Sequence, residues 1–300
     1  MFAVETIGVT KRYGASRGVQ GIDLAVAEGE AFGFIGPNGA GKSTTIRMLM
    51  GLSRPDAGEI RLFGGTVSGD VPEVRRQIGY LPSEIHFPNE LTGEQVLLAT
   101  ARAYGLALER TRAREYAARL QFDMTRSVKS YSLGNRKKLG IIAAMLHEPK
   151  LLVLDEPTSG LDPLMQQQFF DMLEERKAAG HTVFFSTHVL TEVERLCDRV
   201  AFIKDGEILR TSAMDSIPGR NRLRISVAYR EAGDRIEAYG LRAVDPHVEY
   251  SDGEHRFAVD RDIHETLQGI ARYPIRDIAI RRPTLEELFM QDYEKAGNRT

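Results

Sequence analysis

Gly36, Pro37, Asn38, Gly39, Ala40, Gly41, Lys42 and Ser43 fit the pattern G-x-x-x-x-G-K-[ST], a glycine-rich loop that works only between a buried strand and a helix. Both neighbours are legible. Residues 30–35, ending Phe32-Gly33-Phe34-Ile35, are short, apolar and aromatic, as a buried strand should be. Residues 44–50, beginning at Thr44, read as a helix stopped by Gly51. Strand, loop and helix together turn backbone N–H groups and a helix N-terminus toward phosphate. Lys42 would reach the β- and γ-phosphates, and the Ser43 hydroxyl would hold Mg²⁺. The chain is therefore expected to be α/β and to bind a nucleoside triphosphate.

The rest of the chain leaves room for two domains. It has 300 residues, 42% hydrophobic and 27% charged, with a net charge of −2. Nothing in that balance argues for a nucleic-acid footprint. Cys197 is the only cysteine, so no disulfide framework or thiol metal cluster is available, and a reducing cytosol is the simplest home. No signal peptide is legible at Met1-Phe-Ala-Val-Glu5, and no apolar run approaches the ~18 residues of a membrane span. Work at a membrane would then need a partner.

Strands are expected at Phe2–Val9, Val19–Val26 and Gly58–Phe63, making an antiparallel β subdomain. Around Leu91 the texture turns helical, with Thr92 and Gln95 spaced as a capping box, so residues 85–145 read as a helical insert. The α/β pattern then returns. Leu151–Leu154 and Thr182–Ser186 are all-apolar or nearly so, as strands covered on both faces are. Gln166–Ala179 is a helix, and Asp205-Gly206 announces a hairpin. Pro218-Gly219 reads as a boundary. Beyond it a strand with Leu223, Ile225, Val227 and Tyr229 on one face is followed by a short helix at Asp234–Tyr239 and strands near Val244–Tyr250 and Arg256–Val259. A helix at Ile263–Arg272, a strand at Ile275–Ile280 and a tail helix after Pro283 complete it. That order suits a small ferredoxin-like α+β domain.

A phosphate loop alone names no function. Asp155 and Glu156 narrow it, because they stand at the C-terminal end of a buried parallel strand, where such sheets bind ligands. Adjacent acids are otherwise most simply a solvated turn. Asp155 can hold the Mg²⁺ shell, which leaves Glu156 free to orient and deprotonate an attacking water.

With these elements in order, residues 2–215 resemble the ATP-binding subunit of an ABC transporter. Asp155-Glu-Pro-Thr-Ser-Gly-Leu-Asp162 resembles that family's second nucleotide motif and the loop after it, with Asp162 the interface aspartate. His188, after Phe184-Phe-Ser-Thr187, resembles the switch histidine that meets the γ-phosphate. Tyr13 stands where the family stacks an aromatic on adenine. Two motifs depart from the pattern. Tyr131-Ser-Leu-Gly-Asn135 replaces Leu-Ser-Gly-Gly-Gln but keeps Ser132 and Gly134, and resembles drug- and antibiotic-exporter variants. Ser83 stands where a Gln usually lies near the metal and the water, with Glu84 one residue on.

The resemblance implies a P-loop NTPase of the ABC ATPase type at 1–217, with an accessory α+β domain at 218–300. It implies an ATPase with ATP and Mg²⁺ as cofactors. Ser132 and Gly134 of one subunit would cover ATP on another, a second copy or a similar subunit, and hydrolysis would release the closed dimer. It implies an integral membrane permease as partner, no nucleic acid, and a cytoplasmic, peripheral location, with export as the direction. Ile85, Phe87, Leu91 and Leu97 would be either the permease docking surface or the insert's own core. The tail Pro283–Phe289 resembles exporter-type tails, or is simply an amphipathic helix over the small domain. The alternative is a soluble ABC ATPase acting as a ribosome- or DNA-associated switch. Such relatives usually carry two nucleotide domains with a basic linker, or a long coiled coil, and this chain has neither. A kinase or GTPase lacks counterparts to Ser132-Leu-Gly134 and His188.

Overall fold

The computed structural model describes residues 1–14, 16–67, 72–217, 219, 222–231, 233–260, 263–285 and 287–288, in two compact units divided between Met214 and Asp215. The first unit begins with β1 (Phe2–Tyr13), β2 (Ser16–Ala27), β3 (Ala31–Ile35), α1 (Lys42–Leu49), β4 (Ala57–Leu62), β5 (Gly65–Thr66), α2 (Pro72–Arg75) and β6 (Ile78–Leu81). The insert follows as α3 (Gly93–Ala103), α4 (Ala113–Arg119) and α5 (Leu133–Met145). Then come β7 (Leu151–Asp155), α6 (Pro163–Ala178), β8 (Thr182–Thr187), α7 (Leu190–Leu196), β9 (Arg199–Lys204) and β10 (Glu207–Ala213).

Apolar runs decide the central sheet. Every residue of β3, β7 and β8 is buried, as strands covered on both faces must be. The sheet order is β10-β9-β3-β8-β7-β6, parallel except for the edge strand β10, which returns from β9 through the expected hairpin. A second sheet, β2-β1-β4-β5, is antiparallel. Its inward residues Val4, Ile22, Leu24 and Val26 join Phe34, Ile46, Leu49, Val153 and Phe184 in one core that seats α1 between the sheets. Phe32 and Phe184 stack across β3 and β8 with centroids 5.8 Å apart.

The insert begins as expected. The Thr92 hydroxyl accepts from Gln95 N–H at 3.2 Å, and Gln95 Oε1 accepts from Thr92 N–H at 2.8 Å, so two otherwise orphaned donors are satisfied reciprocally. Leu97 belongs to the insert's core, whereas Ile85, Phe87 and Leu91 are half-buried.

Tyr104 of the insert stacks on His147, ring centroids 3.6 Å apart, and His147 Nε2 donates to the Ile78 carbonyl at 3.1 Å. Its Nδ1 is buried without a partner, so a second proton would sit unpaired in apolar surroundings. Burial pushes its pKa down to about 4 from an ordinary 6.5. The unfolded chain therefore binds this proton near pH 6.5 and the folded chain does not until about pH 4. Stability from this site is full above pH 6.5 and falls as pH drops through that window. Denaturation midpoints measured from pH 7 to 4 should decline less steeply in His147→Gln, which keeps an N–H donor but cannot take the proton.

The second unit holds β11 (Leu223–Tyr229), α8 (Leu241–Val244), β12 (Glu249–Ser251), β13 (Glu254–Val259), α9 (Ile263–Ile270) and β14 (Ile275–Arg281). Its sheet order is β12-β13-β11-β14, and every neighbouring pair is antiparallel. Two expected elements shift. Asp234–Tyr239 forms turns rather than a helix. The Asp234 carboxylate takes the Ile236 N–H, and Gly240, at φ +66, starts α8 only at Leu241. The strand expected from Val244 begins at Glu249, because Pro246 has no N–H to pair and the buried Asp245 carboxylate instead takes the N–H groups of His247 and Ala258. Pro218, Glu286 and Phe289 of the expected boundary and tail lie outside the described residues.

Candidate functional site

The end of β3 turns directly into the phosphate loop at Gly36. A Cβ there would stand 2.2 Å from the Ile203 carbonyl of β9, so only glycine lets the loop pass beside that strand. Lys42 opens α1 and is buried. Its ammonium donates to the carbonyls of Gly36 at 2.7 Å and Pro37 at 3.2 Å, inside the loop it belongs to. Asn38, Gly39, Gly41, Lys42, Ser43 and Thr44 line one concavity, together with Gly18 of β2 and Glu156. Two sequence-distant segments thus converge on the loop.

Asp155 and Glu156 are held differently. Asp155 is buried at the end of β7, in register with Ser186 of β8, whose hydroxyl donates to its Oδ1 at 2.6 Å. Glu156 leaves the strand at φ +46, a left-handed conformation uncommon for a residue with a side chain. Its N–H donates to the Ser186 carbonyl at 3.1 Å. Its Oε1 stands 3.3 Å from Lys42 Nζ and 3.4 Å from His188 Nδ1. One carboxylate oxygen therefore meets the phosphate-loop lysine and the histidine after β8. Ser43 and Asp155 offer hard oxygen donors, and the Ser186 hydroxyl fixes the Asp155 carboxylate. This sparse oxygen set is the kind Mg²⁺ takes when phosphates complete its shell.

A buried triad holds the two loops around this point. Glu192 of α7 accepts the Thr158 hydroxyl on one oxygen and the Thr187 hydroxyl on the other, each at 2.6 Å. Thr187 in turn takes the Val189 N–H at 3.0 Å, so the chain on both sides of His188 is fixed. Thr158 and Thr187 carried no sequence signal beyond lying within the motifs, and Glu192 lies outside them.

The remaining expected residues stand apart. Among the described residues no hydrogen bond joins Ser132, Gly134 or Asp162 to Lys42, Glu156 or His188. Ser132 caps α5, its hydroxyl taking the Asn135 N–H at 3.3 Å, and Asp162 caps α6 through the Met165 N–H at 3.0 Å. Gly134 lies against Gly160: a Cβ on Gly134 would stand 2.7 Å from the Gly160 carbonyl. Leu133 covers Gly160 and is 68% exposed. Tyr13 ends β1, 45% exposed, with Lys11 Nζ 5.9 Å from its ring centre. Glu84 is exposed, 3.8 Å from His86. At the Ser83 position it is the backbone carbonyl that is engaged, by the Lys137 ammonium at 3.1 Å.

Comparison with known proteins places this geometry among relatives. Residues 19–159 match the family described as "ABC transporter". The chain is 36% identical over 299 residues to the daunorubicin resistance ATP-binding protein DrrA3 of Streptomyces coeruleorubidus, covering 96% of this chain and 95% of that protein. It is 38% identical to the bacitracin transport ATP-binding protein BcrA of Bacillus licheniformis, over 73% of this chain and 72% of that one. A solved ATP-binding subunit of an ABC transporter, 33% identical, superposes with a TM-score of 0.67 over 72% of this chain and 91% of its own.

Proposed function

The chain belongs to the ABC transporter family, among its ATP-binding subunits, and we propose that it drives export of a drug- or antibiotic-like compound through a membrane permease. It binds and hydrolyses ATP. The observation that carries the site assignment is the single Glu156 oxygen standing 3.3 Å from Lys42 and 3.4 Å from His188. In this reading the residues from Gly36 to Thr44 cradle the phosphates, and Lys42 neutralises charge on the β- and γ-phosphates. Glu156 accepts a proton from the attacking water while His188 holds the γ-phosphate. Ser43 and Asp155 would hold Mg²⁺, which would supply charge neutralisation at the phosphate oxygens. Tyr13 stacks on the adenine.

Ser132, Gly134 and Asp162 act across an interface. Ser132 and Asp162 are exposed, which fits a nucleotide covered by the signature loop of a second copy or of a similar subunit. Residues 1–217 form the nucleotide-binding domain. Residues 218–300 form an accessory domain, read as ferredoxin-like because β11 and β13 lie at the centre of an antiparallel sheet. Among the described residues no helix is long and apolar enough to cross a membrane. The subunit would sit at the cytoplasmic face through its permease, with the half-buried Ile85, Phe87 and Leu91 offered to it.

The test is purification of tagged, full-length Glu156→Gln from detergent-solubilised cells with ATP and Mg²⁺. A polytopic membrane protein is expected to come with it. Ribosomes, DNA or no stable partner would overturn the transporter assignment in favour of a soluble switch.

A further inference from the structure

Lys137 lies in Arg136-Lys137-Lys138, a run that reads as a solvated face, yet it is 2% exposed. The reason is helical spacing. Gly140, Ile141 and Ala144 share its face of α5, and all are buried. An ammonium taken out of water needs partners of its own. Lys137 Nζ donates to the Ser83 carbonyl at 3.1 Å and to the Glu156 carbonyl at 3.2 Å. Asp155 and Glu156 favour its charged form, against burial, which pulls its pKa down.

The second contact bears on how Glu156 is aimed. A left-handed φ on a residue with a Cβ persists only where the surroundings over-determine it. On the amino side, the Glu156 N–H is held by the Ser186 carbonyl at 3.1 Å, with the Ser186 hydroxyl at 3.4 Å. On the carbonyl side Lys137 holds it at 3.2 Å, beside the Ser159 N–H at 3.4 Å. Both ends of the residue are fixed, and the side chain leaves the backbone toward Lys42 and His188.

We infer that Lys137 is a positioning residue for ATP hydrolysis: by holding the carbonyls of Ser83 and Glu156 on one ammonium, it makes the aim of the Glu156 carboxylate depend on the segment carrying Ser83. This rests on Glu156 acting as the base. It also gives the segment with the atypical Ser83 a route to the reacting centre that needs only a backbone carbonyl, which any residue there supplies.

The test uses the purified full chain with ATP and Mg²⁺. Lys137→Met keeps an unbranched apolar stem, one atom shorter, and removes the donors. It is expected to lower kcat about 10- to 100-fold, the scale of a displaced reacting group, with KM and equilibrium ATP affinity within about threefold of wild type. Lys137→Gln has an uncharged side chain one atom shorter that cannot span both carbonyls, and should fall between the two. Wild-type kcat in Lys137→Met, or parallel losses of kcat and ATP affinity, would overturn the inference. If the methionine variant does not fold, the glutamine variant decides: lowered kcat at unchanged ATP affinity supports the role, and wild-type kcat removes it. Glu156→Gln, run alongside, separates the two claims. If it retains turnover, the base assignment fails; if it is inactive while the Lys137 variants turn over normally, only the role of Lys137 fails.

Discussion

Glu156→Gln should leave ATP binding intact while turnover falls by at least about 10²-fold, the usual scale for a general base. The substitution keeps the shape of the side chain but removes its ability to take a proton. Of the groups that would grip the nucleotide, Lys42 loses an ion-pair partner but not its hold on the loop. Lys42 keeps its bonds to the Gly36 and Pro37 carbonyls, and the loop keeps its course between β3 and α1. Equilibrium binding of ATP and steady-state release of phosphate, measured on the same preparation, separate the two effects. Turnover within a few-fold of wild type would move the base elsewhere, and His188, 3.4 Å from the same oxygen, is the next group in place.

Gly36→Ala should produce the opposite pattern, with nucleotide binding lost first. The added methyl would stand 2.2 Å from the Ile203 carbonyl, 2.9 Å from Ile203 Cγ2 and 3.2 Å from Ala40 Cβ. The nearest of these is backbone of β9, paired on both sides in the sheet, so the loop has to move rather than the strand. Overpacking of this kind costs about 1–3 kcal/mol, or a fall in Tm of roughly 2–4 °C for each kcal/mol in a unit of this size. Moving the loop also moves the Gly36 carbonyl that Lys42 holds at 2.7 Å, so ATP affinity should drop by more than about tenfold. Titration with ATP beside a thermal melt checks both. Affinity within twofold of wild type would mean that the loop tolerates the methyl by another route.

The parts of the molecule written in short patterns were legible in its sequence. The phosphate loop announced itself with its strand and helix, the capping box at Thr92 was two residues at fixed spacing, and the all-apolar runs of β7 and β8 gave the parallel sheet. What stayed hidden depends on neighbours far along the chain. Lys137 meets a carbonyl across a separation of 54 residues, and no local pattern records that. Its neighbours Arg136 and Lys138 made it look solvated, although the burial of Ile141 and Ala144 on its face could have been read from the helical period. Glu192 was hidden in the same way, since of its partners Thr158 follows β7 and Thr187 ends β8. In the second unit, apolar residues such as Ile236 and Tyr239 gave a helical texture to a segment that side-chain capping and a left-handed glycine fold into turns.

A side chain on Gly134 would meet the Gly160 carbonyl, and one on Gly160 would meet Leu133. The start of α5 and the turn before α6 are therefore cut as one joint from two distant stretches of chain. For recombination between relatives, this makes residues 131–135 and 158–162 a single inherited module. A chimera that imports one stretch without the other brings together surfaces shaped for different mates, and its fault would lie at a seam well away from the phosphate loop.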